Sequence, residues 1–223
     1  MVYRLFGQRS SDDEALPIED ELEPLLAQQV IRIFALVGEA IAEATHSLLA
    51  GDRELAKHVV DQDVEVDYLI DQMVSEVESA LVAEDAPSSG MRSRYLTLLR
   101  ILPEIERNGD LAEHIARRAA RGLGTEMSPR SRGLVERMGE VAVTIWQAAT
   151  DAIVDNNHEA IAAIEDIDDE LDDLHVSLTA ELVSGSMALP VAVEVAMIAR
   201  FYERFGDHCV NLARRQVRNG GAD

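Results

Sequence analysis

Two short acidic runs each occur twice in this chain. Glu106-Arg-Asn-Gly-Asp110 and Glu203-Arg-Phe-Gly-Asp207 stand 97 residues apart and share Glu-Arg-x-Gly-Asp in register. Asp63-Val-Glu-Val-Asp67 and Asp168-Asp-Glu-Leu-Asp172 stand 105 residues apart, and each places two aspartates at i and i+4. Residues four apart on a helix share a face, separated by about 40° and one turn. Each pair is therefore a bidentate carboxylate edge, and an all-oxygen set of this kind suits hard or borderline cations such as Mg²⁺, Mn²⁺, Ca²⁺ or iron. A solvated helix face is the ordinary reading of one such pair. Four pairs at matching places in two repeats favour a shared site, because like charges at this spacing destabilise an isolated helix and call for compensation.

The elements that must position these acids follow from the chain's breakers and periodicity. Residues 1 to 24 carry seven acids between Asp12 and Glu23 and two prolines, which predicts an acidic lead-in or tail. From residue 25 the apolar positions Val30, Ile33, Phe34, Val37, Ile41, Ala44 and Leu48 follow helical spacing to about Ala50. Gly51-Asp52 breaks that run, and Asp52 with Glu54 reads as a helix start. A second helix is expected to about Ala83 on Leu55, Val59, Val66, Leu69, Met73, Val77 and Ala80, followed by a turn over Glu84-Asp-Ala-Pro-Ser-Ser-Gly90 and a third helix from about Met91 to Arg121.

The second half repeats this order. After a linker over 122–130, helices are expected from about Ser131 to Asp155, His158 to Val183 and Leu189 to Asn219, with Asn156-Asn157 and Ser184-Gly-Ser186 as the breaks. The predicted fold is all-α, two pseudo-symmetric three-helix bundles spanning 25–121 and 131–219. On the last helix Ile198, Phe201, Phe205, Cys209 and Leu212 lie roughly opposite Glu203 and Asp207, whereas the aspartates of the middle helices flank their apolar stripe by about 80°. A face shared by adjacent helices then collects four carboxylates per half.

Composition narrows the function class. Aromatics are 4% of the 223 residues, and 20 Lys and Arg stand against 42 Asp and Glu, a formal charge of −22. Charge of that sign repels a nucleic-acid backbone and anionic lipid, leaving cations and basic protein surfaces as partners. A single cysteine, Cys209, fits a reducing compartment, and neither a run of about 18 consecutive apolar residues nor a signal-peptide core is evident. A cytoplasmic location with no direct membrane insertion is expected. Cys209 reads as core, and Trp146 as core or interface. No phosphate-binding glycine loop, catalytic Ser/His/Asp order or zinc spacing occurs, so no enzyme is expected.

The repeated Glu-Arg-x-Gly-Asp motifs, the paired Asp-xxx-Asp helices, the Leu55-Ala-Lys-His-Val-Val-Asp-Gln-Asp63 run and the Phe201–Arg215 segment together resemble the PhoU family of phosphate-signalling proteins. The resemblance covers nearly everything after the lead-in. It implies two pseudo-symmetric bundles, a homodimer, and no catalysis. It also implies a negative regulator of phosphate uptake and of the phosphate-starvation response, recruited peripherally to a sensor histidine kinase and to the ATPase subunit of the phosphate transporter. Carried over by residue, Asp63, Asp67, Glu106 and Asp110 form one metal site and Asp168, Asp172, Glu203 and Asp207 the other, for a divalent or trivalent ion such as iron, manganese, magnesium or zinc.

Departures from the family pattern are Pro87-Ser-Ser-Gly-Met-Arg92 at the entry to the third helix and Pro103 within it, which predicts a kink there. His175 and His114 follow the acid pairs at helical spacing as candidate nitrogen ligands. The Asp-xx-His pattern at His175 also suggests, as an alternative, a carboxylate-bridged protein for metal storage or oxidation. The matching position in the first half is Ile70, so only one half has it.

Overall fold

The computed structural model describes residues 17–83, 87–154, 160–185 and 187–220. Six helices follow one another: α1 (Pro17–Ala50), α2 (Arg53–Val82), α3 (Ser89–Ala120), α4 (Pro129–Val154), α5 (Ala160–Val183) and α6 (Leu189–Gly220), with a 3₁₀ turn at Leu123–Glu126. No strand occurs among the described residues.

Local chemistry explains most of the boundaries. Gly51 takes a left-handed φ of 71° after α1, and Asp52 accepts hydrogen bonds from the Glu54 and Leu55 amides at 3.1 and 3.0 Å, capping α2 as expected. Ser88 caps α3 through the Met91 amide at 3.2 Å, and Ser128 caps α4 through the Ser131 amide at 3.1 Å. The first helix departs from expectation: α1 begins at Pro17, eight residues before the predicted start, and continues through Pro24. Proline at the opening position loses no helical hydrogen bond, so Pro17 is a tolerable start. Helix α3 likewise runs through Pro103 as one element. The lead-in before residue 17, the turn residues 84–86, the break at Asn156-Asn157 and Ser186 lie outside the described residues.

Helices α1, α2 and α3 form one antiparallel triad and α4, α5 and α6 a second, and one continuous core joins all six. The predicted stripes are buried: every named position of α1 is at most 2% exposed, as are Val59, Val66, Met73 and Val77 of α2. By length and composition, Leu22–Ala50 of α1 would suffice to cross a membrane, but here its apolar stripe is packed inside the bundle. Trp146 of α4 donates its indole N–H to the Phe34 carbonyl at 2.9 Å and stands between Phe34 and Phe205, at centroid distances of 5.1 and 5.6 Å. The residue is core at the junction of the halves, and Cys209 is also fully buried.

The halves meet most closely along α3 and α6, which run antiparallel. Arg118 pairs with Glu194, Asn108 with Cys209 and Arg215 with Glu104, so numbers rise on one helix as they fall on the other. Glu104 is 2% exposed, and its two oxygens meet Arg107 Nη1 at 2.8 Å, Arg215 Nη2 at 2.7 Å and His208 Nδ1 at 2.8 Å. The position 97 residues on is Phe201, where Arg118 stacks with its guanidinium carbon 4.7 Å from the ring centroid. One half thus receives the other's arginine on a carboxylate, and the second receives it on an aromatic ring. Substituting Glu104 by alanine should cost about 2–4 kcal/mol, because a buried cavity forms and His208 loses its partner. A urea midpoint lowered at unchanged slope would show this, whereas an unmoved midpoint would mean that the pair only offsets its own desolvation.

Candidate functional site

Each half brings its middle and last helices together through a glycine. In Glu-Arg-x-Gly-Asp, Gly109 faces α2, where an added Cβ would lie 3.2 Å from Asp63 Oδ1. Its counterpart Gly206 faces α5 more tightly, since a Cβ there would collide with Asp168 Oδ1 and come within 2.8 Å of Leu171 Cδ1. Without side chains at these positions, the Asp63 and Asp168 carboxylates can lie against the neighbouring helix. This explains the repeated glycine beside the repeated acids.

The members of each predicted quartet lie near enough to act on one another's charge. Asp63 is half-buried, and its pKa is pushed up to about 7, first by burial and then by the negative charges of Asp67, Glu113 and Asp110, with Arg117 opposing. Burial also raises Asp67, reinforced by Asp110, Asp71 and Glu113, and it raises Glu106, reinforced by Asp67, Asp110 and Asp71. Asp110 rises through burial against the opposing pull of His114. In the second half Asp168 likewise reaches about 7, through burial followed by the charges of Asp207, Asp172, Asp169 and Glu203. Glu203 rises through burial, opposed by Arg200 and His175.

Two members of the first cluster were not among the predicted site residues. Asp71 extends the Asp63–Asp67 ladder by another turn, a signal that the i, i+4 spacing already held. Glu113 is 7% exposed and pairs with Arg117 and, at 3.8 Å, with His114 Nδ1. Their counterparts in the second half are Val176 and Val210, whereas the second cluster has Asp169 where the first has Val64. His114 is turned toward Phe201, 5.3 Å between ring centroids, and toward its own helix's Asp110 carbonyl. His175 stands close enough to Glu203 to influence its charge.

No group of three or more His, Cys, Asp or Glu side chains among the described residues is arranged, as it stands, to hold a metal ion. The residues nevertheless fit one by their chemistry. Glu203 Oε2 is buried without a hydrogen-bond partner although Oε1 pairs with Arg200, and each quartet gathers mutually repelling oxygens at a partly desolvated surface. A bound cation would supply the missing countercharge and draw the carboxylates together. Glu203 with Asp168, Asp172 and Asp207 would hold it in the second half, and Asp63, Asp67, Glu106 and Asp110 in the first.

The class is a duplicated helical bundle with a carboxylate cluster at the matching place in each half. Comparison with known proteins identifies which one. The PhoU domain matches twice, at residues 30–119 and 135–216. The "phosphate-specific transport system accessory protein PhoU homolog 2" of Mycobacterium tuberculosis is 32% identical over 195 residues, covering 86% of this chain and 91% of the relative. The "PhoU homolog 1" of Mycobacterium leprae is 31% identical, covering 86% and 87%. In fold, the crystal structure of PhoU from Pseudomonas aeruginosa superposes with a TM-score of 0.83 at 24% identity, covering 92% of this chain and 100% of that one. PhoU from Streptococcus pneumoniae gives 0.76 at 19% identity, covering 89% and 95%. This chain belongs to the PhoU family, whose matched members carry the names of accessory and regulatory proteins rather than of enzymes.

Proposed function

We propose that this protein is a regulatory adaptor of phosphate uptake, a negative regulator that acts by contact with the phosphate transporter's ATPase subunit and with a sensor histidine kinase. It acts in the cytoplasm as a homodimer recruited peripherally to those membrane complexes. The two carboxylate clusters hold divalent or trivalent cations that brace the α2/α3 and α5/α6 faces. The observation that carries the reading is the double match to the family, each match containing one complete acid quartet. Relatives named as accessory proteins of phosphate-specific transport support the transporter association.

Deletion of the gene tests it. In phosphate-rich medium the deletion strain should show high secreted phosphatase activity and phosphate uptake. Wild-type protein should restore both to low levels, and the Glu203→Ala/Asp207→Ala variant should not. Unchanged phosphatase activity and uptake in the deletion strain would remove the regulatory reading.

A further inference from the structure

The chain's charge is segregated by helix. Eleven of its twenty Lys and Arg residues fall on α3 and α6, which carry seven acids between them, two of those being the buried Glu104 and Glu113. Helix α2 carries eight acids and two bases, and α5 eight acids and no base. On a protein of formal charge −22, the α3/α6 pair is thus net basic between two acidic helices, with Glu106, Asp110 and Asp207 as the acids exposed on it. Several of its arginines are engaged within the chain, but Arg92 and Arg204, and Arg121 just past the end of α3, are exposed and enter no ion pair among the described residues. Apolar side chains stand exposed on the same pair: Leu96 on α3 at 41%, and Val193 and Met197 on α6 at 52% and 41%. Along α6 they follow helical spacing into Arg200, which pairs with Glu203, and into the unpaired Arg204, before the exposed Asp207.

We propose that this α3/α6 strip is a docking surface for an acidic polypeptide segment with apolar residues beside its charges. Charge complementarity selects the sign of the partner, and the flanks select its shape. Two packed helices about 10 Å apart make a strip about 20 Å wide, room for one helix or one extended segment. A bilayer or a nucleic-acid duplex, being broad, would press its own negative charge against α2 and α5. A single polypeptide seats its acids on the arginines and its apolar side chains on Leu96, Val193 and Met197, in the helix-on-groove manner. The surface is a property of the charge pattern and stands whether or not the chain regulates phosphate uptake.

Fluorescence anisotropy of a fluorescein-labelled helical peptide, with a Glu-rich face flanked by Leu, tests the assignment on the full chain. The combined Arg92→Glu, Arg121→Glu and Arg204→Glu variant should weaken binding about tenfold or more. The combined Arg32→Glu, Lys57→Glu and Arg137→Glu variant, which changes net charge equally on α1, α2 and α4, should weaken it less than about threefold. Rising salt should weaken wild-type binding. If the first variant does not fold by circular dichroism, Arg204→Ala and Val193→Asp, both at exposed positions, carry the same test and should each weaken binding. Equal losses in the two triple variants, or no binding to the wild type, would overturn the proposal. Co-sedimentation of the wild type with phosphatidylserine vesicles, or retention by duplex DNA, in preference to the peptide would overturn it in favour of those surfaces.

Discussion

Adding Mn²⁺ to chelator-treated protein at pH 8 is expected to raise its melting temperature by about 5–10 °C, the size produced by a ligand at roughly a hundred times its dissociation constant. At pH 5.5 the same addition should do less than half as much. The difference comes from Asp63 and Asp168, whose folded pKa values stand at about 7 against an ordinary 3.8. A raised value means that the folded chain binds the proton more tightly than the unfolded chain does. The stability these groups contribute is therefore full below pH 4 and is lost as pH rises through 7. A cation needs the ionised form, so it competes with protons at pH 5.5 and relieves accumulated repulsion at pH 8. Asp168→Asn should consequently melt higher than wild type without metal, by a margin that grows from pH 5 to pH 8, and should lose about half of the metal response. Both groups are half-exposed, so water screens part of the cost. A melting temperature unmoved by Mn²⁺, Fe²⁺, Mg²⁺ and Zn²⁺ at pH 8, or a metal-free Asp168→Asn that melts lower, would remove the metal sites.

Asp168 also shows how far the sequence could be read. Helical spacing placed Asp63, Asp67, Asp168 and Asp172 alike at the flank of the apolar stripe, yet in each pair the first residue is half-buried and the second exposed. The distinction depends on Gly109 and Gly206 of the facing helices, 46 and 38 residues further along the chain, and spacing on one helix carries no information about a neighbour's missing Cβ. Local signals did better. Asp52 capped α2 where expected, Gly51 took the left-handed turn, and the stripes of α1 and α6 were buried position by position.

The contacts between halves were not legible. Glu104 reads as one more surface acid at helical spacing, and its burial depends on Arg215 and His208 more than 100 residues away. The start of α1 failed for another reason. Acids and prolines before Leu25 resemble a disordered lead-in by composition, but Pro17 is compatible with a helix's opening position and α1 also continues through Pro24, so composition and the observed helix differ there. Duplication made the acid quartets visible by repeating them. It hid Glu113, because the second half has Val210 at that place and the repeat contains no echo of it.

Replacing Gly124 by alanine is expected to cost about 4 kcal/mol or more, among the largest single losses available in this chain. Gly124 lies in the 3₁₀ turn between the halves and is pressed against the end of α1. An added Cβ would overlap the Leu48 carbonyl oxygen and stand 2.8 Å from the carbonyl carbon, and both are backbone atoms of a helix whose side chains fill the core. No rotamer change can relieve a backbone collision, so the turn itself must move. That movement would break a second tie, because Arg132 donates from Nη1 to the Gly124 carbonyl at 2.6 Å and from Nη2 to the Leu49 carbonyl, clamping the turn and the end of α1 to α4. Gly133, one residue beyond that arginine, has no atom within 4 Å of an added Cβ, so Gly133→Ala serves as the control and should be neutral or slightly stabilising. Chemical denaturation of the two variants decides the matter. A Gly124→Ala midpoint near that of Gly133→Ala would mean that the junction between the halves is slack enough to absorb a methyl group, and the rigid clamp through Arg132 would have to be abandoned.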